Sequence, residues 1–295
     1  MKIQMIFNPN AGRGRGAKAY PEIIKKLRDA GHEVIPHQTL YRFHAIEIVK
    51  NLNLYETDAL VSVGGDGTSY EVLNGLMNNS CKKLPPIGII PVGTGNSFSK
   101  DLNIASWEDG IKAINEENHR PVDILSYKTE GNEYFFVNNL GFGFVADVSI
   151  SSEPIKRIGM TAYALGVLYE IAKLKSMHVE LEIDGNKYEH EVNFIYFCNS
   201  VWAGGNMKIS PNSKFDDGLV EILVMKSATR KELLKLFPRV FSGTHMDHPK
   251  VKVYQGKHIK VTSDPVKYCN PDGEIFGVTP LEVKILPNIA RYFSL

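Results

Sequence analysis

The sequence predicts a two-domain protein, with an α/β domain built on a doubly wound parallel sheet over residues 1–122 and an antiparallel β-sandwich over 123–286. Up to about residue 120, apolar strand-like runs alternate with helical periodicity, which is typical of a parallel sheet with right-handed crossovers. Beyond that point strand-like runs follow one another with few helices, as in a sandwich or barrel. The 295 residues suit about two domains. The last residues, 287–295, are expected to pack back on the first domain.

In the first domain, short apolar runs predict the strands, and longer stretches between them predict the helices. The strands are predicted over 2–7, 33–37, 58–63 and 86–91, and the helices over 17–30, 42–54, 69–79 and 106–117. The run 59–63 is apolar almost throughout, as in a strand that is covered on both faces.

In the second domain, strands dominate. They are predicted over 122–128, 134–139, 178–183, 188–199, 219–225, 258–262 and 281–286, with a hairpin turn at 184–187. Two helices interrupt them. The segment 159–175 is apolar on most sides, and we expect it to be mostly buried. The segment 229–241 has an apolar stripe and several basic residues, so it is either an ordinary surface helix or one that lies on an anionic membrane.

Composition narrows the class of protein. The 34 basic and 33 acidic residues nearly balance, so charge does not indicate a nucleic-acid partner. The three cysteines, Cys81, Cys198 and Cys269, have neither metal-site spacing nor a disulfide pattern, which is typical of the reducing cytosol. No apolar run reaches about 18 residues, and the start reads as a strand rather than a signal peptide. We therefore expect a cytoplasmic protein whose membrane contacts are peripheral.

A glycine-rich turn, Gly64-Gly65-Asp66-Gly67-Thr68, follows the third predicted strand. Glycine lets the backbone approach a ligand closely, and a helix that begins at Ser69 or Tyr70 would direct free N–H groups at the turn. Asp66 would then face a nucleotide phosphate, an arrangement that requires a divalent cation between them. The alternative is a tight strand-to-helix turn with an Asp cap.

Two other strands of the first domain end in similar turns. Asn8-Pro9-Asn10-Ala11-Gly12 leads into a stretch with Arg13 and Arg15, and Gly93-Thr94-Gly95-Asn96 follows the strand at 86–91. Because the carboxyl ends of parallel strands lie at one edge of the sheet, the three turns would open together, where open α/β folds bind ligands. Together they predict a nucleotide site.

The second domain contains two acidic turns. Asp216-Asp217-Gly218 follows a glycine-rich stretch at 199–211, and adjacent carboxylates beside free carbonyls suit Mg²⁺ or Ca²⁺, although an ordinary Asp-Gly turn explains them equally well. In the turn 270–274, Asp272 or Glu274 could accept the proton of a hydroxyl nucleophile.

Five motifs in order resemble those of the diacylglycerol kinase catalytic family, which includes soluble bacterial lipid kinases and sphingosine and ceramide kinases. They are Gly64-Gly65-Asp66-Gly67-Thr68, Gly93-Thr94-Gly95-Asn96, Asn139-Leu140-Gly141-Phe142-Gly143, Gly204-Gly205-Asn206-Met207-Lys208-Ile209-Ser210-Pro211 with Asp216-Asp217-Gly218, and Asp272-Gly273-Glu274. The resemblance spans almost the whole chain. It implies a nucleotide domain similar to that of phosphofructokinase and NAD kinase, a β-sandwich domain, and ATP and acceptor between them.

The resemblance also implies residue roles. The expected nucleotide site consists of Asn8, Pro9, Asn10, Ala11, Gly12, Thr39, Gly64, Gly65, Asp66, Gly67, Thr68, Glu71, Gly93, Thr94 and Asn96. Asp66 and Asp123 would belong to a catalytic Mg²⁺ network. The carbonyls of Lys214 and Leu219, with the Asp217 carboxylate, would hold a structural Mg²⁺. Asp272 and Glu274 would form the general-base end of the site, with no choice between them.

One position departs from the family pattern. Diacylglycerol kinases of this type commonly have Asp after the Asn of the Gly-Thr-x-Asn motif, whereas this chain has Ser97, and sphingosine kinases also lack an acid there. This departure therefore leaves the identity of the lipid acceptor open. Asp101, four residues on, could supply the charge from the next helical turn.

The resemblance implies Mg²⁺-dependent transfer of the ATP γ-phosphoryl group to a lipid hydroxyl, with diacylglycerol as the first candidate and phosphatidic acid, a phospholipid precursor, as its product. The alternatives are a sphingosine- or ceramide-type kinase, an NAD kinase-like enzyme and a non-catalytic nucleotide-sensing protein. The lipid would be presented at a membrane surface, and a homodimer is left open. The candidates for an apolar entry cleft are the segment 159–175 and the region of Phe142 and Phe144.

Overall fold

The computed structural model describes residues 1–154 and 160–295. The chain divides into two compact units. Unit 1 consists of Met1–Asp123 and Asn288–Leu295, and unit 2 of Ile124–Pro287. The boundary expected from the sequence, between residues 122 and 123, lies one residue from this division.

Unit 1 contains the predicted parallel sheet. Its elements are β1 (Lys2–Phe7), α1 (Ala11–Asp29), β2 (Glu33–Gln38), α2 (His44–Asn51), β3 (Ala59–Gly64), α3 (Asp66–Met77), β4 (Ile87–Pro91), α4 (Ser97–Asp101) and α5 (Trp107–Asn115). The strand order is β2-β1-β3-β4, and each neighbouring pair is parallel. Every residue of β3 is buried, which confirms a strand covered on both faces.

Unit 2 is rich in antiparallel strands. Its elements are β5 (His119–Thr129), β6 (Asn132–Phe136), β7 (Asn139–Gly143), α6 (Phe144–Ser152), α7 (Met160–Ala172), β8 (Met177–Ile183), β9 (Asn186–Cys198), β10 (Trp202–Ala203), β11 (Met207–Lys208), β12 (Val220–Lys226), α8 (Arg230–Leu236), β13 (Val251–Gly256), β14 (His258–Asp264), β15 (Cys269–Pro271) and β16 (Leu281–Phe293). The first residues of β5 and the last residues of β16 belong to unit 1.

The antiparallel pairings of unit 2 run in the order β13-β12-β9-β8-β14-β16, and β7 pairs with both β9 and β15. The hairpin expected at 184–187 joins β8 to β9. Its two central residues, Asp184 and Gly185, have φ values of 49° and 86°, and such a left-handed pair matches the twist of the flanking strands. The predicted division into an α/β and a β-rich part is confirmed.

Two elements differ from their predictions because of contacts or residues that interrupt a regular pattern. The apolar run at 134–139 divides into β6 and β7, since the N–H groups of residues 137–139 turn toward the carboxylate of Asp272. The helix predicted over 229–241 ends at Leu236 and continues as the 3₁₀ helix Phe237–Phe241. Pro238 lacks the N–H that would continue the α-helical ladder.

The helices α1 and α7 also differ. α1 begins at Ala11, but Gly12, Arg13 and Gly14 have positive φ values, so a regular helix begins only after them. The prediction that 159–175 is mostly buried is wrong for the described part, since Leu168 is 54% exposed and two neighbouring residues are similar. Residue 159 lies outside the described residues. Among the described helices, none has the length and hydropathy needed to cross a bilayer.

A first prediction concerns the packing of α5 on β4. A Cβ atom at Gly110 would lie 2.5 Å from the Ile89 carbonyl oxygen, a backbone atom that cannot easily move. We expect Gly110→Ala to lower the free energy of unfolding by about 1–2 kcal/mol, because overpacking outweighs the better helix propensity of alanine. Urea denaturation measures it. The exposed Lys112→Ala on the same helix is the control and should change stability by less than about 0.5 kcal/mol; an equal effect of both would contradict the packing argument.

Candidate active site

The three glycine turns of unit 1 follow β1, β3 and β4, and their backbones are in direct contact. The N–H groups of Val92 and Gly93 donate to the Gly64 carbonyl at 2.9 and 3.1 Å. A Cβ atom at Gly93 would lie 2.4 Å from the Cα atom of Gly65, and one at Gly12 would lie 2.0 Å from the Val92 carbonyl oxygen. The turns therefore form one cluster at the carboxyl edge of the sheet, as the sequence predicts.

Two side chains connect the turns. The Asn8 amide Nδ2 donates to Thr68 Oγ1 at 3.1 Å, which joins the turn after β1 to the start of α3. The Arg15 guanidinium donates to the carbonyls of Gly93 at 2.5 Å and Gly12 at 3.1 Å, which joins it to the turn after β4. The sequence indicates Arg15 only as a positive charge in a loop, because its carbonyl partner is 78 residues away.

Asp66 is the first residue of α3 and lies against the start of α4. Its Oδ1 accepts the Ser97 backbone N–H at 2.7 Å, and its Oδ2 accepts the Ser97 hydroxyl at 3.3 Å. Burial raises the pKa of Asp66 to about 6, and the hydrogen bonds from Ser97 and Asn96 and the charge of Lys100 limit this rise. Ser97 therefore holds the carboxylate in place.

The acidic residues of unit 1 do not form a ready metal cage. Both oxygens of Asp66 already accept hydrogen bonds, and Asp123 Oδ1 accepts the Asn288 N–H at 2.7 Å. Asp101 ends α4 next to Lys100, whose charge interacts with both Asp66 and Asp101. Within 1–154 and 160–295, no group of three or more His, Cys, Asp or Glu residues is arranged to hold a metal. A cation at Asp66 would therefore need further ligands, such as phosphate oxygens. The compensating role suggested for Asp101 stays a prediction.

Asp272, in unit 2, is a buried carboxylate that fixes the start of β7. It accepts the N–H groups of Val137, Asn138 and Asn139 at 3.1, 2.9 and 3.1 Å, and its own N–H donates to the Asn139 carbonyl at 2.8 Å. The three backbone donors occupy both oxygens of the carboxylate and fix its position. Glu274, two residues on, is only half-buried and so reaches solvent. Of the two acids that the sequence left open, Glu274 is the more accessible.

The acidic turn after the glycine-rich stretch is compact. The Asp217 carboxylate accepts the Leu219 N–H at 3.1 Å, and Gly218 has a φ of 72°. Two main-chain carbonyls, of Lys214 and Leu219, and the Asp217 carboxylate are hard oxygen donors of the kind that Mg²⁺ and Ca²⁺ prefer. The donor set therefore fits the metal site that the resemblance implies.

Glu221 is a structural residue that the sequence analysis did not identify. This residue of β12 is buried, and its Oε2 accepts hydrogen bonds from the hydroxyls of Ser210 and, at 2.8 Å, of Ser213. It therefore holds the end of the glycine-rich stretch against the sheet. The sequence signal that could have found it is one Glu within an otherwise apolar strand pattern, because a charge that becomes buried needs hydrogen-bond partners.

Unit 2 also contains an apolar cavity of about 60 Å³ beside α7 and α8. Its lining includes Phe144, Tyr163, Val167, Phe194, Leu233 and Val251. Both regions that the sequence suggests for an apolar cleft contribute to the lining. Val167 comes from α7 and Phe144 from the region of Phe142 and Phe144, whereas Phe142 itself is buried and does not line the cavity. The lining of the cavity is mainly apolar, which suits aliphatic carbon.

An α/β unit with three clustered phosphate-type turns, together with a β-rich unit that carries an acidic turn, defines a two-domain kinase. Residues 2–127 match the diacylglycerol kinase catalytic domain, and residues 139–293 match the YegS C-terminal NAD kinase beta sandwich-like domain. The chain belongs to the diacylglycerol kinase catalytic family, and it is a lipid kinase that uses ATP.

Individual proteins that are similar to this chain carry the name of the same family. The chain is 29% identical to the diacylglycerol kinase of Bacillus subtilis (strain 168), over 95% of this chain and 92% of that protein. It is 28% identical to the diacylglycerol kinase of Staphylococcus carnosus (strain TM300), over 95% and 90%. A crystal structure of a Bacillus anthracis (strain Sterne) protein assigned as a diacylglycerol kinase matches with a TM-score of 0.85 and 27% identity, and covers 100% of this chain and 95% of that one.

A second prediction separates the two acids of the turn 270–274. Asp272→Asn would place an amide against three backbone donors, so we expect the free energy of unfolding to fall by about 2 kcal/mol or more. Glu274→Gln should leave stability nearly unchanged and reduce kcat by roughly 100-fold or more, because it removes a proton acceptor. Thermal melts and kinase assays on both variants measure these effects. An Asp272→Asn protein as stable as the wild type, or an active Glu274→Gln enzyme, would contradict these roles.

Proposed function

We propose that this lipid kinase transfers the γ-phosphoryl group of ATP to the free hydroxyl of diacylglycerol and so produces phosphatidic acid, with Mg²⁺ as its metal. The observation that carries the choice of a lipid acceptor is the apolar cavity of unit 2, which suits an acyl chain. The names of the Bacillus subtilis and Staphylococcus carnosus relatives support diacylglycerol as the acceptor.

The nucleotide would be held by unit 1. The turns 8–12, 64–68 and 93–96 present backbone N–H groups to the phosphates, with α3 supplying a helix N-terminus. Mg²⁺, when bound, would neutralise charge on the phosphates, and Asp66 would hold it with Asp123 as a supporting carboxylate. The protein's contribution is chiefly to position the phosphates and stabilise their charge, because phosphoryl transfer needs little covalent help.

The acceptor would be activated by unit 2. Glu274 takes the hydroxyl proton as the acceptor oxygen forms its bond to the γ-phosphorus and the bond from that phosphorus to the bridging oxygen of ADP breaks. Asp272 keeps the turn that carries Glu274 in place through its three backbone hydrogen bonds. A metal held by Lys214, Asp217 and Leu219 would stiffen the acidic turn.

The protein would act from the cytoplasm on lipid in a membrane surface. The outer sides of α7 and α8 expose apolar residues, and we name this surface the α7–α8 face: Leu165, Leu168, Tyr169 and Leu234. Exposed basic residues accompany it, namely Lys173, Arg230, Lys231 and Lys235. An apolar surface with positive charge suits the interface of an anionic bilayer.

A third prediction tests the acceptor. Purified full-length protein with radiolabelled ATP and Mg²⁺ is offered diacylglycerol, monoacylglycerol, sphingosine, ceramide and NAD separately. We expect diacylglycerol to give the fastest labelling, and Asp66→Ala to abolish it without unfolding the protein. Faster labelling of sphingosine, ceramide or NAD would identify that compound as the acceptor in place of diacylglycerol. Nucleotide binding without transfer to any of them would indicate a nucleotide-sensing protein.

A matched pair of variants tests the cavity itself. Val251→Phe narrows the cavity and should raise the KM for diacylglycerol about tenfold while the KM for ATP stays the same. Val253→Phe, on the same strand but exposed and outside the lining, is the control. Equal KM values for diacylglycerol in both variants would show that the acyl chain binds elsewhere.

A fourth prediction tests the membrane surface. Leu168→Glu puts a charge on the α7–α8 face, so binding to vesicles that contain anionic lipid should weaken by about tenfold or more. Activity on a short-chain, water-soluble diacylglycerol should be unchanged. Val266→Glu, at an exposed residue of unit 2 outside the face, serves as the control in sedimentation assays. Unaltered vesicle binding by Leu168→Glu would mean that another surface contacts the membrane.

A further inference from the structure

The segment 39–44, which joins β2 to α2 in unit 1, presents an ordered aromatic pair at the protein surface. Tyr41 is 54% exposed, and the His44 ring stacks on it with centroids 4.4 Å apart and 22° between the ring planes. The Tyr41 hydroxyl donates to Glu47 at 2.8 Å, which fixes the direction of the side chain. His44 covers one side of the tyrosine ring, so its solvent exposure is on the other side.

The backbone of this segment is held in an unfavourable conformation. Phe43 has a φ of 67°, in the left-handed region that bulky L-residues rarely adopt. The carboxylate of Glu71 accepts the N–H of Phe43 at 2.9 Å and that of Ala45 at 3.1 Å, one on each oxygen. Such strained conformations persist when surrounding contacts enforce them, and they cluster at ligand sites.

Glu71 connects this segment to the phosphate turns. It belongs to α3, the helix that begins at Asp66 directly after the turn of β3. The segment is therefore fixed to the same helix whose N-terminus would face the phosphates. Glu71 is predicted to belong to the nucleotide site, and its observed contacts with two N–H groups give it a positioning role there.

The strand order places the segment beside the phosphate turns. β2 is the neighbour of β1, and the Thr39 N–H donates to the Phe7 carbonyl at 2.9 Å. Adjacent strands lie about 4.8 Å apart, so a triphosphate over the turns of β1, β3 and β4 leaves the rest of the nucleotide within reach of the β2 loop. A purine ring stacks readily on an exposed aromatic face.

We infer that the exposed face of Tyr41 is the stacking surface for the adenine base of ATP, and that Glu71 is the residue that positions it. This inference rests on the proposed function, in which ATP is the phosphoryl donor. Tyr41 contributes affinity for the base alone, and the turns after β1, β3 and β4 contribute affinity for the phosphates.

The test compares two ligands that differ in the nucleoside. Binding of ATP and of inorganic tripolyphosphate, each with Mg²⁺, is measured by calorimetry on the full-length protein. We expect Tyr41→Ala to weaken ATP binding about tenfold and to leave tripolyphosphate binding unchanged. Tyr41→Phe keeps the ring and should bind ATP nearly as the wild type does. Tyr55→Ala removes another exposed tyrosine of unit 1, one that precedes β3 and so lies at the opposite end of the strand, and it should change neither ligand.

Glu71→Ala tests the positioning role. It should reproduce the selective loss of ATP affinity, and the double variant with Tyr41→Ala should lose no more than either single variant, because both changes remove the same contact. Additive losses, or equal losses of ATP and tripolyphosphate affinity in Tyr41→Ala, would overturn the inference.

The failures of this inference and of the proposed function are distinguishable. If the wild type binds ATP and tripolyphosphate equally well, the base contributes no affinity. Tyr41 is then not its stacking surface, although the phosphate site remains supported. If the wild type binds neither ligand, the nucleotide site of the proposed function is contradicted, and so is the stacking role of Tyr41.

Discussion

The close approach of two backbones, at Gly65 and Gly93, is the contact on which the rest of the phosphate site depends. Gly93 has no room for a Cβ atom, since one would lie 2.4 Å from the Gly65 Cα atom, and a Cβ atom at Gly65 would be in tight contact, 3.1 Å from the Gly93 Cα atom. This approach brings the start of α4 to the start of α3, so that the Ser97 N–H reaches Asp66 at 2.7 Å. It also brings the Gly93 carbonyl within reach of Arg15. A larger residue at Gly93 would therefore force these groups apart.

The parts of the fold that the sequence predicts are those fixed by local pattern. A strand buried on both faces needs an apolar run, and a turn that touches another backbone needs glycine. Both β3 and its turn can therefore be predicted from residues 59–68 alone. Contacts between residues that are distant in the sequence cannot be predicted in this way. The apolar run at 134–139 gives no sign that it divides, because the carboxylate that divides it lies 134 residues from Asn138. Similarly, the apolar composition of α7 does not reveal which of its residues stay exposed.

Buried carboxylates in this protein hold backbone and hydroxyl groups. Asp272 accepts three N–H groups and Glu221 accepts two serine hydroxyls, so each is compensated for the water it has lost. Such saturation makes a carboxylate a good structural anchor and leaves its oxygens less open to a substrate hydroxyl. Glu274, in the same turn, is only half-buried, so solvent or a substrate can reach it.

The cavity of unit 2 and the α7–α8 face belong to the same two helices, and the energetics of lipid transfer explain why they should. Moving an acyl chain of about 16 carbons through water costs roughly 0.8 kcal/mol per methylene, on the order of 10 kcal/mol in total. An enzyme that takes lipid from a bilayer avoids this cost only if its apolar cavity opens where its apolar surface touches the membrane. A cavity of about 60 Å³ accepts only part of such a chain, so the remainder would stay in the bilayer or require α7 and α8 to separate. In the proposed reaction, either route would keep the chain out of water, and the exposed leucines of the α7–α8 face would then lie along the acceptor's path.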